Sequence, residues 1–247
     1  MKVVKMKLIE TLNEKVGKIP YVGKALTKEI SVKDAVVAAG VTAIAGYMAL
    51  VNAVSTLAVD GSVEIVSGVD NENYALTTID AKLGGEIADR TNFFLRNRTT
   101  MDHDNMVDSF TLIDLSYNLG KGLDAVGEMQ FVPGAETDYR LGMQYFHKFK
   151  KGVTAYALLT RNFTEEPNTE LTTVLGYSRD IKGEWKLVGR VEGIINMADT
   201  CYNYDLTRLR LGIGKGRFLI GPAADISGLG SGEEPAYTAG GFVAVKF

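Results

Sequence analysis

Cysteine and histidine are almost missing. The 247 residues hold one cysteine, Cys201, and two histidines, His103 and His147. A single thiol excludes an intramolecular disulfide and a cysteine-based zinc site, and Cys201 is read as a lone thiol near a loop. Two histidines leave little room for histidine-rich metal chemistry, and no serine-containing nucleophile motif lies beside either one. A basic excess is missing too. The formal net charge is −3, so the chain offers no electrostatic footprint for nucleic acid. From about Ser62 onward, helical periodicity is absent. Mean hydropathy is +0.02, which excludes little. An ordinary globular protein has that value, and so does a transmembrane β-barrel, because only alternate residues of its strands face lipid.

The first sixty residues have a character of their own. Residues 1–34 carry eight Lys and four acids, with Leu8, Leu12, Val16 and Ile19 at helical spacing. Ala35 to Val59 then holds no charge and is rich in Ala and Val. It ends in AVSTLA, where Thr56 and Ala58 are small enough for a signal-peptidase site. A basic head, an apolar run and a small-residue exit read as a secretory signal. Two alternatives stand beside it: a retained membrane-spanning helix, and a soluble or surface-lying helix. The division drawn from this is a head plus signal peptide or membrane helix over 1–58 and a second unit over 59–247.

That second unit alternates with a period of two. In GEWKLVGRVEGIINM, 183–197, Trp185, Leu187, Val191, Ile195 and Met197 share one face, and Glu184, Lys186, Arg190, Glu192 and Asn196 share the other. LTTIDAKLGGEI, TLIDLSYNL, LDAVGEMQF and YRLGMQYFHKF repeat the split. VTAYALLTRNF is apolar on both faces near its middle. YNYDLTRLRLGIG shifts phase near Leu206, the place for a bulge. Twelve strands are predicted near 62–68, 75–87, 91–100, 108–119, 122–132, 137–149, 152–163, 168–180, 183–197, 202–214, 216–226 and 236–247. Most are longer than the roughly five or six residues usual in soluble proteins. They match the roughly nine to eleven that a tilted strand needs to cross a bilayer.

The connections alternate as well. Gly120-Lys121-Gly122, Lys150-Lys151-Gly152, Lys182-Gly183, Lys215-Gly216 and Ala88-Asp89-Arg90 are tight hairpins, with Gly expected to supply positive φ. Between them lie the longer polar segments VDNENY, TMDHDNMV, VPGAET, TEEPN, ADTC and SGLGSGEEP. The expected fold is all-β: a closed antiparallel up-and-down transmembrane β-barrel of about 12 strands (10–14). An even count puts both termini on the short-turn side.

The final stretch, GGFVAVKF, carries a resemblance. Tyr237, Ala239, Gly241, Val243, Val245 and Phe247 fall on one alternation. This resembles the terminal strand of bacterial outer-membrane β-barrel proteins of the porin-like superfamily. In that family a C-terminal aromatic on such an alternation is the signal read by the barrel-assembly machinery. The resemblance implies a Gram-negative outer-membrane location, reached through the periplasm. Its implied partners are the lipid bilayer, lipopolysaccharide and the assembly machinery, with no nucleic acid.

Charges on the non-lipid face would line the lumen: Asp80, Lys82, Glu86, Arg96, Arg98, Asp114, Asp124, Glu128, Arg140, Lys148, Lys186, Arg190, Glu192, Arg208 and Arg210. They have two readings. Arginines 96, 98, 140, 190, 208 and 210 could favour small, perhaps anionic, solutes, or they could pair with nearby acids and brace a closed barrel. His147, flanked by Tyr145 and Phe149, reads as an interfacial girdle residue together with Trp185, Tyr177 and Phe247. The MDHDN cluster around His103 and the acids Glu165, Glu166, Glu233 and Glu234 read as solvated loops. Asn97-Arg98-Thr99 and Asn162-Phe163-Thr164 read as chance glycosylation matches. The expected function is a small passive channel or a structural outer-membrane protein, without catalysis, cofactor or metal. The alternatives are a soluble all-β binding domain tethered by an N-terminal helix, and an outer-membrane lipid-modifying enzyme.

Overall fold

The computed structural model describes residues 59–72, 74–102, 107–198, 201–228, 230 and 234–247. The expected signal or membrane helix in 1–58, His103 and Glu233 lie outside the described residues. The strands are β1 (Val59–Asp70), β2 (Ala75–Ala88), β3 (Thr91–Met101), β4 (Val107–Gly120), β5 (Leu123–Phe131) and β6 (Asp138–Lys148). A single 3-10 turn follows, then β7 (Val153–Asn162), β8 (Asn168–Lys182), β9 (Trp185–Ala198), β10 (Tyr202–Lys215), β11 (Phe218–Ser227) and β12 (Ala236–Lys246). Each strand pairs antiparallel with its sequence neighbours, and β12 closes on β1. No edge is left open, as a wall in lipid requires. A strand of twelve residues such as β1 is about 40 Å long, which at the usual barrel tilt covers a hydrocarbon core of about 30 Å.

The alternation decides which side of the wall each residue meets. Arg140 is 2% exposed and its neighbour Leu141 is 60% exposed. The buried side chains include Asp80, Asp114, Glu128, Glu192, Arg208 and Arg210, while Leu115, Met143, Leu159, Leu175, Leu211 and Ile220 stand exposed on the outer wall. A soluble barrel would show the opposite, because apolar surface of this extent is expelled from water. The tethered soluble domain is therefore excluded. The lumen holds one small apolar cluster, Val66, Ala223, Phe242 and Ala244, with Leu219 packed against it.

Three sequence expectations need correction. The phase change in β10 falls between Tyr202 and Tyr204, and Leu206 pairs regularly with Ile194. Leu206 looks out of phase because it is an apolar side chain on the lumen wall. Positive φ is not left to glycine alone: Arg90, Lys121 and Lys151 have φ of 64°, 56° and 63°. In the β4–β5 turn both Lys121 and Gly122 sit there, as a type I′ turn requires. Finally, β1 extends to Val59–Asp70, well past the expected 62–68, because it pairs along most of its length with both β2 and β12.

Candidate functional site

The lumen charges named from sequence occupy alternate register positions facing the barrel interior, and hydrogen bonds join most of them. On β2, Asp80 accepts a fork from Arg96 of β3, Nε to Oδ1 at 2.9 Å and Nη2 to Oδ2 at 2.6 Å. Arg96 also donates Nη1 to Glu192 Oε1 at 3.0 Å. Glu192 belongs to β9, which lies half the circumference away from β3. This bond therefore crosses the full width of the lumen.

From Glu192 the network runs on through Arg208, which donates to the same oxygen. The Nε of Arg208 stands 3.9 Å from Asp225, and Arg98 Nη2 donates to Asp225 at 3.4 Å. Arg210 joins Asp225, at 2.5 Å, to Glu64, at 3.0 Å. Arg190 donates to both Glu64 oxygens at 3.0 Å. Lys82 lies 3.4 Å from Asp80 and 3.8 Å from Glu192. Six cations thus hold four carboxylates, from β1, β2, β3, β9, β10 and β11. A charge removed from water needs such partners, and each guanidinium here has at least one.

The wall made by β4 to β8 has the opposite balance. Asp124 accepts from Asn118 at 2.8 Å and from Gln144 at 2.7 Å. Glu170 accepts from Asn196 at 3.2 Å and from the Tyr204 hydroxyl. Glu128 accepts from Gln130 at 2.7 Å, with Arg140 Nε at 3.6 Å. Arg140 itself donates to Asp138 at 2.8 Å, Thr160 at 3.2 Å and Asn168 at 2.5 Å. Asp114 and Glu128 face each other directly in register. Neutral amides and hydroxyls hold most of these acids, with Arg140 the cation among them.

Three of the residues named from sequence stand apart from this geometry. Glu86 lies exposed near the short β2–β3 turn. Lys148 lies exposed at the end of β6. Lys186 is largely exposed and stands 4.0 Å from Asp180. Sequence reasoning missed Glu64, Asp225, Glu170 and Tyr156. Glu64 and Asp225 are each a lone acid in an otherwise uncharged run, SVEIVSG and LIGPAADIS, and that isolation was the available signal.

Around the network the barrel keeps room. One cavity of about 490 Å³ reaches from Asn92 and Phe94 to Tyr204 and Leu206, and Lys82, Arg96 and Arg208, gathered around Glu192, form its basic side. A second, of about 330 Å³, lies toward the short turns between Gly152, Ser178 and Lys246, roofed by Glu64, Asp80, Arg190 and Arg210. A third, of about 190 Å³, opens beside Asp70, Arg98 and Tyr237 at the long-loop end.

The outer wall carries two belts. Near the short turns, His147 lies parallel to Tyr145, ring centroids 6.2 Å apart, and edge-on to Phe149, 4.4 Å apart. Arg90 lies over Tyr117, and Lys215 lies over Trp185. Toward the long loops stand Tyr74, Phe131, Tyr139, Phe163 and Tyr237. Aromatic rings favour these depths because each has one face for lipid and an edge or hydroxyl for water. The strand β12 puts Tyr237, Ala239, Gly241, Val243 and Val245 on this wall. Phe247 closes the seam through two backbone bonds to Gly61, each 3.0 Å. A Cβ on Gly61 would meet the Phe247 ring at 2.4 Å, so only glycine leaves the ring its seat.

Closure, an apolar outer wall and a charged interior define a transmembrane β-barrel. No family model matches the chain, and no curated protein matches it. Among solved structures, it is similar to a KdgM porin in complex with disordered oligogalacturonate. The identity is 10%, over 75% of this chain and 99% of that one, with a TM-score of 0.47. It is also similar to an outer membrane channel from Pseudomonas putida F1, at 10% identity over 77% and 94% of the two chains, TM-score 0.43. The translocator domain of the autotransporter NalP from Neisseria meningitidis matches at 11% identity over 76% and 87%, TM-score 0.40.

Proposed function

We propose that the protein is a narrow passive channel of the bacterial outer membrane, admitting small solutes past a constriction built from the Arg96–Glu192 crossing. The observation that carries this is the room left inside the wall. Cavities of about 490, 330 and 190 Å³ share the network residues as their boundary, so solvent space lies on more than one side of the crossing. A barrel filled for strength alone would pack that volume with side chains. All six lumen arginines are engaged by carboxylates, so they are not free to recruit anions, and an anion-selective pore is not favoured.

The reading assigns no catalysis: His147 sits between two aromatic rings on the outer wall, away from the lumen acids. Its proposed partners are lipid at the aromatic belts, lipopolysaccharide bridged by divalent cations at the acidic long loops, and the assembly machinery at the β12 seam. A second reading is favoured by the crossing itself, which would make the barrel a sealed structural element. Planar-bilayer recording separates the two. The expected result is a small, discrete conductance that grows in Arg96→Ala. Heat-modifiable, well-folded protein with no conductance in either form would sink the channel.

A further inference from the structure

The acidic wall poses a problem that the ion-pair network does not solve. Asp114 Oδ1 and Glu128 Oε2 are buried and have no hydrogen-bond partner. Their residues are 4% and 2% exposed, and both line the cavity of about 490 Å³. They face each other in register, so each carboxylate meets another carboxylate where a donor is needed. Arg140 stands 3.6 Å from the other Glu128 oxygen, Oε1, but its N–H bonds go to Asp138, Thr160 and Asn168, and neither unpartnered oxygen has a donor. A buried acceptor of this kind calls for a donor, and a pair of them calls for a cation.

Apart from its basic side at Lys82, Arg96 and Arg208, the lining has an apolar part, which says which kind of cation. Phe110, Leu112, Tyr156 and Leu158 surround the same space. Among the described residues, no group of three or more His, Cys, Asp or Glu is arranged to hold a metal. A hydrated divalent ion would gain nothing from an apolar and aromatic wall. An organic ammonium gains from both parts, through N–H bonds to the carboxylates and carbon contacts and cation–π attraction to the rings.

We propose that this cavity binds a small primary-amine solute, its ammonium between Asp114 and Glu128 and its carbon chain against Phe110, Leu112 and Tyr156. The inference deepens the channel reading, on which it rests, by naming the solute class. The test is isothermal titration of the full chain in detergent micelles with four probes: butylammonium, butanol, tetramethylammonium and Mg²⁺. Butylammonium is expected to bind saturably, butanol not at all, and tetramethylammonium, which has charge but no N–H, far more weakly. Asp114→Asn and Glu128→Gln should each weaken butylammonium by about 10- to 100-fold, the loss of one charge-assisted bond.

Equal binding of butanol, saturation by Mg²⁺ instead of the amine, or unchanged affinity in both variants overturns the proposal. So does the absence of amine binding, which is the result if the two carboxyls instead share a proton. The butylammonium-against-butanol comparison needs no variant and stands even if one misfolds. Conductance recorded on the same preparation keeps the two readings apart. Conductance without amine binding overturns the inference and leaves the channel. Amine binding by a sealed barrel supports the site and overturns the channel.

Discussion

Arg140 and Leu141 are consecutive, and their environments are opposite. One is folded into the lumen with three partners, and the other stands on the lipid wall. The energetic consequence can be read from the medium each one meets. A Leu141→Arg change puts an unpaired guanidinium into hydrocarbon. Leu141 lies two residues in from the Tyr139 belt, between the rim and the midplane, so the change should cost about 1–3 kcal/mol, measured as a lower urea midpoint for unfolding from lipid vesicles. Arg96 is the interior counterpart. It forks onto Asp80 and reaches Glu192, so Arg96→Ala takes one cation from two buried carboxylates, leaving Asp80 with Lys82 and Glu192 with Lys82 and Arg208. The expected loss is about 1.5–3 kcal/mol, that of charge-assisted hydrogen bonds, in the same unfolding measurement. A change below about 1 kcal/mol would show that the crossing contributes little to holding the wall.

At the scale of elements, three of the five short turns share a construction. The β2–β3, β4–β5 and β8–β9 hairpins each carry a register shift just before a two-residue turn. The residues left over at these shifts, Ile87, Leu119 and Ile181, are all apolar and exposed. A bulge there sharpens the local twist and lets the hairpin close. The turns also carry basic residues at Arg90, Lys121, Lys151, Lys182 and Lys215. Lys121 bears a strained positive φ, so Lys121→Gly should raise stability by about 0.5–1 kcal/mol, seen as a higher unfolding midpoint. The seam between β12 and β1 has its own test. Gly61→Val forces the Phe247 ring out of its seat. The expected outcome is a slowed or incomplete appearance of the heat-modifiable folded band, with little change in the β content of the protein that does fold.

For the molecule as a whole, the two rims differ in sign. Acids gather at the long loops, among them Asp70, Glu72, Glu136, Glu165, Glu166 and Glu234, and bases gather at the short turns. Across the lumen a second asymmetry runs from the six-cation network to the acid wall of β4 to β8. Because the outer wall is apolar, the full chain should leave detergent solution for liposomes and resist digestion there except at its loops. A chain that stays monomeric and soluble without detergent would overturn the membrane assignment. The transverse asymmetry should appear as cation selectivity in reversal potentials. Neutralising Asp114 and Glu128 together should reduce it, since the lumen arginines are already paired.

The barrel was legible in the sequence, and for a simple reason. A wall with lipid on one side and charge on the other forces a period of two, and bilayer thickness forces long strands. Those constraints act residue by residue, so GEWKLVGRVEGIINM and YRLGMQYFHKF display them without neighbours. The short-turn and long-loop alternation followed from composition in the same way. What could not be read was partnership across the lumen. Arg96 and Glu192 are ninety-six positions apart, and only closure of β12 on β1 sets the distance between β3 and β9. The same closure recruited Glu64 and Asp225, two isolated acids with no pattern around them, and left Asp114 facing Glu128 with one oxygen of each unpartnered. Alternation is a local property of each strand and is written in the chain. Which charges meet depends on the circumference and on register summed over twelve strands, and that exists only once the barrel is closed.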